Sequence, residues 1–375
     1  MAESFYKSLH PNRDIVSTRT LLHEAIPLTG TIVSGTYNEG NTAVNIKNYG
    51  HGMFQSTYDY PFLSSSANHI FDITVGVSTK SGIYSSVTEQ QSKKKNIYNQ
   101  MAQTLVGHDV TGSILRFDIN GDSLNDSGTK MDNVFFLNMS RLLVKDEIKK
   151  GTFQLDLGVS SSFNQAGTVF SRGIQITDFS GSDGFFVNSP AGEYGVLYAT
   201  ASHNPPSNPS NILAANQRYA VGLLYYQAGI AVISGSVFNS SGSGGIIDNA
   251  TGSSAMTSTG GATGFQFVTG SSISGSADGI RNRIKNLQFN NTIELNSTVY
   301  FCRVNHNEYN YSTNPTYLSE SKIQVKTKTT DTPVSYITTV GLYNDNNELL
   351  AVAKLSEPLK KDPTNEFTIR VRLDY

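Results

Sequence analysis

The run "DINGDSLND" sets Asp118, Asn120, Asp122 and Asp126 at the first, third, fifth and ninth positions of a twelve-residue frame, the offsets at which a calcium loop presents oxygen ligands. The rest of that motif is missing. Ser123 stands where the sharp turn needs glycine, and Thr129 where a bidentate carboxylate closes the site. An Asn-Gly turn between two strands accounts for the same letters and is the expectation carried forward. The seven histidines are dispersed, with no pair at helical or strand ligand spacing and no cysteine cluster beside them, so zinc chemistry lacks a ligand set. There is no Gly-rich phosphate loop ending in Lys-Ser/Thr, no dinucleotide fingerprint after a strand, and no Gly-x-Ser-x-Gly elbow. Paired carboxylates for glycoside cleavage need only proximity in space, and no pair stands out. The expectation is a chain with no catalytic residue, no metal ligand and no cofactor.

Residues suited to contact are easier to find. "HNEYNYSTNP" interleaves Tyr309 and Tyr311 with asparagines, and "ESFY" puts Phe5 and Tyr6 near the start. Aromatic faces beside amides suit a protein or sugar surface, and they equally suit tyrosines that cover an underlying sheet. Phe5, Tyr6, Tyr309 and Tyr311 are the candidate partner-contact residues.

These side chains depend on mostly β elements. Residues 335–343 are β-branched and aromatic, Asn344 to Asn347 are turn formers, and Glu348 to Leu355 is apolar again, which reads as strand, turn, strand. Pro358 cannot donate to a ladder and is expected to end that strand. The closing "EFTIRVRLDY" alternates, with Phe367, Ile369, Val371 and Leu373 on one face and Thr368, Arg370, Arg372 and Asp374 on the other. Residues 220–238 carry no charge over a length that could cross a bilayer. Their glycines, β-branched residues and central "YQAG" point instead to a buried hairpin. The clearest helix is expected from Tyr84 to Val106, stopped by Gly107, with the lysines of "SKKKN" on a solvated face. "LLVKDEIKK" fits a short helix or a bent strand, and "DGIRNRIKNLQF" a short helix presenting Ile280, Ile284 and Leu287.

The fold class expected is mainly β (α+β), with antiparallel, sandwich-like sheets, one long helix and a C-terminal hairpin module. Three segments are expected: an extended N-terminal arm and docking segment at 1–75, a central α+β domain at 76–288, and a C-terminal β domain at 289–375. Within the centre, 239–279 is dominated by Ser, Gly, Thr and Ala and reads as an exposed excursion ordered by a partner. Removing residues 1–30 is expected to block docking without unfolding the rest.

Composition narrows the function classes. Charged residues make up 15% of the 375, the net charge is −2, and Lys and Arg are scattered, so no footprint for nucleic acid appears. Cys302 is alone, which rules out an intrachain disulfide, and its strand-like surroundings suit a small buried hydrophobe. The N-terminus lacks the apolar core of a signal peptide, and neither export by that route nor membrane insertion is expected. Few charges with many hydroxyls and amides suit surfaces that end against other protein.

"NHNEYNYSTNPTYL", "PVSYITTVGLYNDNNELLAVAKLSEPLKK" and the terminal "FTIRVRLDY" together resemble the C-terminal module of structural proteins from contractile-tailed bacteriophages, especially those infecting marine cyanobacteria. "NIYNQMAQTLVGHD" and "FFLNMSRLLVKDEIKKGTFQLDLG" are similar to the same group, so the likeness runs from about Ile83 to the end. The resemblance implies a non-enzymatic virion protein of the tail baseplate, assembled in the host cytoplasm against other virion proteins and copies of itself. The alternatives are a receptor-binding or fibre-attachment protein that contacts host glycans and, more remotely, a neck or capsid-associated protein. Heptads and repeats of the kind that trimerise long fibres are missing from the sequence.

Overall fold

The computed structural model describes residues 6–32, 44–82, 84, 88–121, 128–158, 173–203, 218–238, 272–312, 318–319, 322–323, 330 and 332–375. Phe5, Asp122, Asp126 and residues 239–271 of the expected excursion lie outside them. In chain order the elements are α1 (Pro11–Asp14), β1 (Ile15–Ile26), β2 (Ile46–Asn48), β3 (Gln55–Tyr58), β4 (His69–Val77), α2 (Glu89–Leu105), β5 (Asn133–Met139), α3 (Arg141–Val144) and β6 (Glu147–Ile148). They continue with β7 (Gln154–Gly158), β8 (Gly173–Thr177), β9 (Phe186–Ser189), β10 (Gly192–His203), β11 (Tyr219–Tyr225), β12 (Ile230–Ser234), α4 (Ile273–Arg281) and β13 (Ile284–Val304). The last are β14 (Leu318–Ser319), β15 (Lys322–Ile323), β16 (Ser335–Tyr343), β17 (Leu349–Lys361) and β18 (Phe367–Asp374). The fold is mostly β with antiparallel sheets and few helices, as expected.

Two compact units divide this chain: a larger one, Leu22–Ile293, and a smaller one made of Met1–Leu21 with Glu294–Tyr375. This differs from the three segments read in the sequence. Strands β2, β3 and β4 belong to the sheet of the larger unit rather than to an arm, because β4 pairs with β5 along its length. β13 is continuous through residue 289, where the C-terminal domain was expected to begin.

In the larger unit the strand order is β7-β8-β10-β11-β12-β5-β4-β3-β2, with the first residues of β13 beside β7 and β9 beside β10. Its middle strands are buried without alternation: Val134–Leu137, Val221–Tyr225 and Ala231–Ser234 are solvent-free runs. Continuous apolar runs of this kind belong to strands covered on both faces. The uncharged stretch 220–238 is therefore a buried hairpin, β11 and β12, closed by Gly229 at φ 68° with its N–H on Tyr225 O at 2.9 Å.

Helices α2 and α4 both pack on β4. The Thr88 hydroxyl caps α2 by accepting the Gln91 N–H, and Gly107, at φ 96°, ends it as expected, though it starts at Glu89 rather than Tyr84. At Gly76 the helix comes so close that a Cβ would lie 2.8 Å from the Phe136 ring and 3.0 Å from Tyr98 Cβ. The lysines of α2 do not share a solvated face. Lys93 is half-buried, pairing with Glu89 at 2.8 Å, and Lys94 is fully buried on the stripe of Gln91, Tyr98, Ala102 and Leu105. The helical period places residue 94 there whatever its charge. Burial lowers the Lys94 ammonium to about 8.

Other expectations also need correction. "LLVKDEIKK" contains both alternatives, α3 and then β6, joined at Lys145 with φ 60°. The expected helix at 278–289 stops at Arg281, and Ile284 opens β13. Arg281 is buried and pins α4 to β3, with Nε donating to Gln55 Oε1 at 2.9 Å and Nη2 to Asp278 at 2.7 Å.

The smaller unit holds α1, β1 as far as Leu21, and β13 from Glu294, with β18 pairing Phe367–Asp374 against Ser297–Val304. β18 alternates half-buried and exposed residues, with the apolar set on one face as read from the sequence. β16 and β17 form a separate two-stranded ribbon. β17 runs through Pro358 to Lys361, contrary to expectation. The register explains this: Ile337 faces Leu359 and Thr339 faces Lys354, so Pro358 falls in a bulge where no ladder hydrogen bond is asked of it. Cys302 is half-buried rather than buried; desolvation first, then the Asp14 carboxylate, pushes its thiol up.

Candidate partner interface

The turn of the hairpin is built by one side chain. Asn344 Oδ1 accepts the N–H groups of Asn346 (3.0 Å) and Glu348 (2.8 Å), while Asn347 takes φ 62°, a conformation asparagine tolerates. The ribbon it closes carries apolar side chains in the open: Leu350 is 67% exposed, and Tyr336, Tyr343, Leu349 and Val352 are also exposed. Gly341 faces Val352, and a Cβ on Gly341 would meet the Tyr343 ring at 2.9 Å and Leu349 at 3.2 Å. Tyr343 and Leu349 thus close over a glycine notch, much as an aromatic ring shields glycine in a designed sheet. Tyr6 adds to this patch, its ring 4.6 Å from that of Tyr343.

A second patch rests on a buried cation. Lys361 is solvent-free, and its Nζ donates to Asn310 Oδ1 (2.6 Å), Asp362 O (2.9 Å) and His306 O (3.1 Å). Three oxygens satisfy all three ammonium protons, which is the condition for burying a lysine cheaply. The cage fixes the loop His306–Asn310. Asn310 is buried in it, Tyr309 takes φ 55°, and the Tyr309 carbonyl accepts the Ser335 hydroxyl. Tyr309 and Tyr311 are consequently presented outward, 46% and 53% exposed. The Lys7–Glu308 ion pair ties the segment after Tyr6 to the same loop. Burial works to raise the Glu308 carboxyl, but Lys7 and the Asn305 N–H outweigh it and leave it below the ordinary range. The structure therefore brings Tyr6 to the hairpin and Tyr309 and Tyr311 to the caged loop.

What unites these patches is a lopsided distribution of apolar surface. Twelve of the 21 exposed large hydrophobics among the described residues fall in the smaller unit, which holds just under a third of those residues. Its single buried hydrophobic among the described residues is Val304. The contiguous core, from Ile26 to Phe289, lies wholly in the larger unit. Nothing in the sequence pattern alone separates these cases, because alternating strands look the same whether their apolar face is covered or bare.

Three acidic side chains among the described residues stand in clusters of polar groups. Asp118, the first position of the calcium-like run, has its Oδ2 3.1 Å from Lys130 Nζ, with both side chains almost solvent-free, and its Oδ1 accepts the Asn120 N–H. The Asp118 carboxylate is thus paired with an ammonium. In the larger unit Ser56 and His69 Nε2 (2.7 Å) both contact Asp72 Oδ1. That order puts the carboxylate in the middle, whereas a nucleophilic relay needs the imidazole there. Asp178 is buried and accepts the N–H groups of Gly151 (2.7 Å) and Phe153 (2.9 Å), a strut between segments; desolvation is the largest influence and raises its carboxyl. Among the described residues no helix is long and apolar enough to cross a membrane, and no group of three or more His, Cys, Asp or Glu converges. Compared with protein-family models, with curated proteins and with solved structures, the chain finds no match.

Proposed function

We propose that this chain is a non-enzymatic assembly protein whose smaller unit docks on neighbouring subunits. The resemblance of its C-terminal residues to contractile-tailed phage proteins makes a tail baseplate component of a virion the specific form of that proposal. The observation that carries it is the bare apolar surface of the smaller unit: a two-stranded ribbon is at best marginally stable alone in water, and this one leaves its largest side chains uncovered. Burying such side chains gains about 25 cal/mol for each Å² of apolar surface removed from water, so docking would convert a liability into binding energy.

The direct test is location. Antibody raised against the chain should label the tail of purified particles, and mass spectrometry should find the chain there in stoichiometric amount; recovery only as a soluble monomer defeats the proposal. A companion test uses Leu350→Asp and Val352→Asp, which touch exposed positions and should leave the circular dichroism and thermal transition unchanged while abolishing incorporation. The exposed Tyr309 and Tyr311 favour a second reading, contact with host glycans. Binding of the purified chain to a host-envelope glycan array, lost in a Tyr309→Ala/Tyr311→Ala variant, would decide for it.

A further inference from the structure

A groove of about 260 Å³ runs along β1, β13 and β18 in the smaller unit, floored by Val16, Val299 and Phe301 and walled on one side by Arg370 and Arg372. The register explains the arrangement. Arg370 pairs with Phe301 and Arg372 with Val299 across β18 and β13, so both guanidiniums stand beside the apolar floor on the same face. Two of the arginines on this face already have a carboxylate partner: Arg303 Nε donates to Asp14, a carboxylate it shares with Arg13, at 2.9 Å, and Arg372 Nε to Asp374 at 2.8 Å and to Ser297 at 2.9 Å. Arg370 makes no ion pair or hydrogen bond among the described residues and is exposed. The groove therefore ends in an arginine with no carboxylate partner among the described residues, above an apolar seat.

Resting on the assembly reading, we infer that this groove receives an acidic segment of a neighbouring polypeptide, which seats one apolar side chain on Val299 and Phe301 and sets a carboxylate on Arg370. Size and charge select that occupant. The volume is below that of sites that enclose free small molecules, and it suits a single side chain. A carboxylate can take the guanidinium fork in bidentate fashion, which an amide or hydroxyl cannot match. One such arginine is also a weak match for nucleic acid, which draws its affinity from many phosphate contacts at once.

The test is fluorescence anisotropy of the full chain with capped, labelled hexapeptides: Asp-Glu-Leu-Phe-Asp-Glu, the same acids around Gly-Gly, and Lys-Lys-Leu-Phe-Lys-Lys, with an oligo-dT strand as a fourth probe. The first should bind best and weaken as salt rises, and Arg370→Glu should weaken it about ten-fold or more while Arg370→Lys retains part of it. Binding of the basic peptide or of oligo-dT as tight as the first, or a first peptide indifferent to Arg370→Glu, overturns the inference. The two readings separate in the assembly assay. If Arg370→Glu enters particles at the wild-type level while Val352→Asp does not, the groove proposal fails and the docking role of the hairpin survives; if neither substitution matters, both fail.

Discussion

Lys94 gives the sharpest thermodynamic prediction, because its burial fixes both the size and the sign of a pH effect. The ammonium, ordinarily at 10.5, is brought to about 8 by desolvation in the fold. At about 1.4 kcal/mol per pK unit this corresponds to a penalty of about 3 kcal/mol while Lys94 is charged in both states. Below about pH 8 the folded protein carries that penalty in full. Between about 8 and 10.5 the unfolded chain still binds the proton and the folded one does not, so stability rises with pH; above that window the penalty has gone. Lys94→Met keeps the stem and removes the charge. The variant should be more stable than wild type by about 3 kcal/mol at pH 7, with the difference shrinking toward zero near pH 10.5. Urea titrations of both proteins at matched pH measure this, and taking the difference cancels the thiol and phenols that also titrate at high pH. A difference that stays constant from pH 7 to 10.5, or a variant less stable than wild type at pH 7, would refute the reasoning.

Lys361→Met should strip the caged loop of three charge-assisted hydrogen bonds, worth about 3 kcal/mol or more together, and hydrogen exchange should speed up at residues 305–310 while β5 and β12 stay protected. Gly76→Ala should cost about 1–3 kcal/mol in urea unfolding, since its Cβ would sit 2.8 Å from the Phe136 ring and 3.1 Å from Tyr98 Cα, with α2 unable to retreat without opening the core; a neutral result would mean that the helix slides. Truncation needs to be shorter than the sequence invites: removing residues 1–30 deletes Ile26 and Leu28, both part of the core, and should unfold the larger unit. Removing residues 1–8 takes away Tyr6 and the Lys7–Glu308 pair and should lower incorporation with the thermal transition of the larger unit intact.

Much of the architecture was legible where one period dominated. The uncharged run became β11 and β12 because apolar residues without alternation suit strands covered on both sides, and β18 kept the two faces its alternation drew. Errors arose where two rules competed. Charge outvoted geometry at Lys94, although the spacing of Gln91, Lys94, Tyr98, Ala102 and Leu105 is that of a single helical face. Ile280 and Ile284 are spaced for a helix, yet the chain leaves it at Arg281, since residues from Ile284 onward find ladder partners on β7. Pro358 looked like an end because a bulge is a property of register, and register is set by the partner strand. Of the candidate contact residues, Tyr309 and Tyr311 were visible as a composition anomaly. The hairpin itself was legible, but the Tyr6 contact on it and the Lys361 cage depend on pairings between distant segments that no local pattern encodes.

An exposed apolar ribbon raises the question of why it should be an interface and not an aggregation hazard. The answer lies in what is interleaved with it. On β17 the apolar Leu349–Val352 stretch is followed by Lys354, Glu357 and Lys360, all exposed, and the four-residue bulge ending at Pro358 breaks the straight edge that another strand would need. Charges and bulges are the devices by which soluble proteins keep edges from pairing indiscriminately. A patch that is apolar in the middle and guarded along the strand can stay dispersed at the concentrations of synthesis, then bury its centre against a surface shaped to avoid the guards. On this argument the guards decide partner choice more than affinity. Neutralising Lys354 and Lys360 together should leave incorporation intact but bring on self-association of the free chain, detectable by sedimentation velocity; a doubly neutralised chain that stays monomeric would show that the charges have no such role.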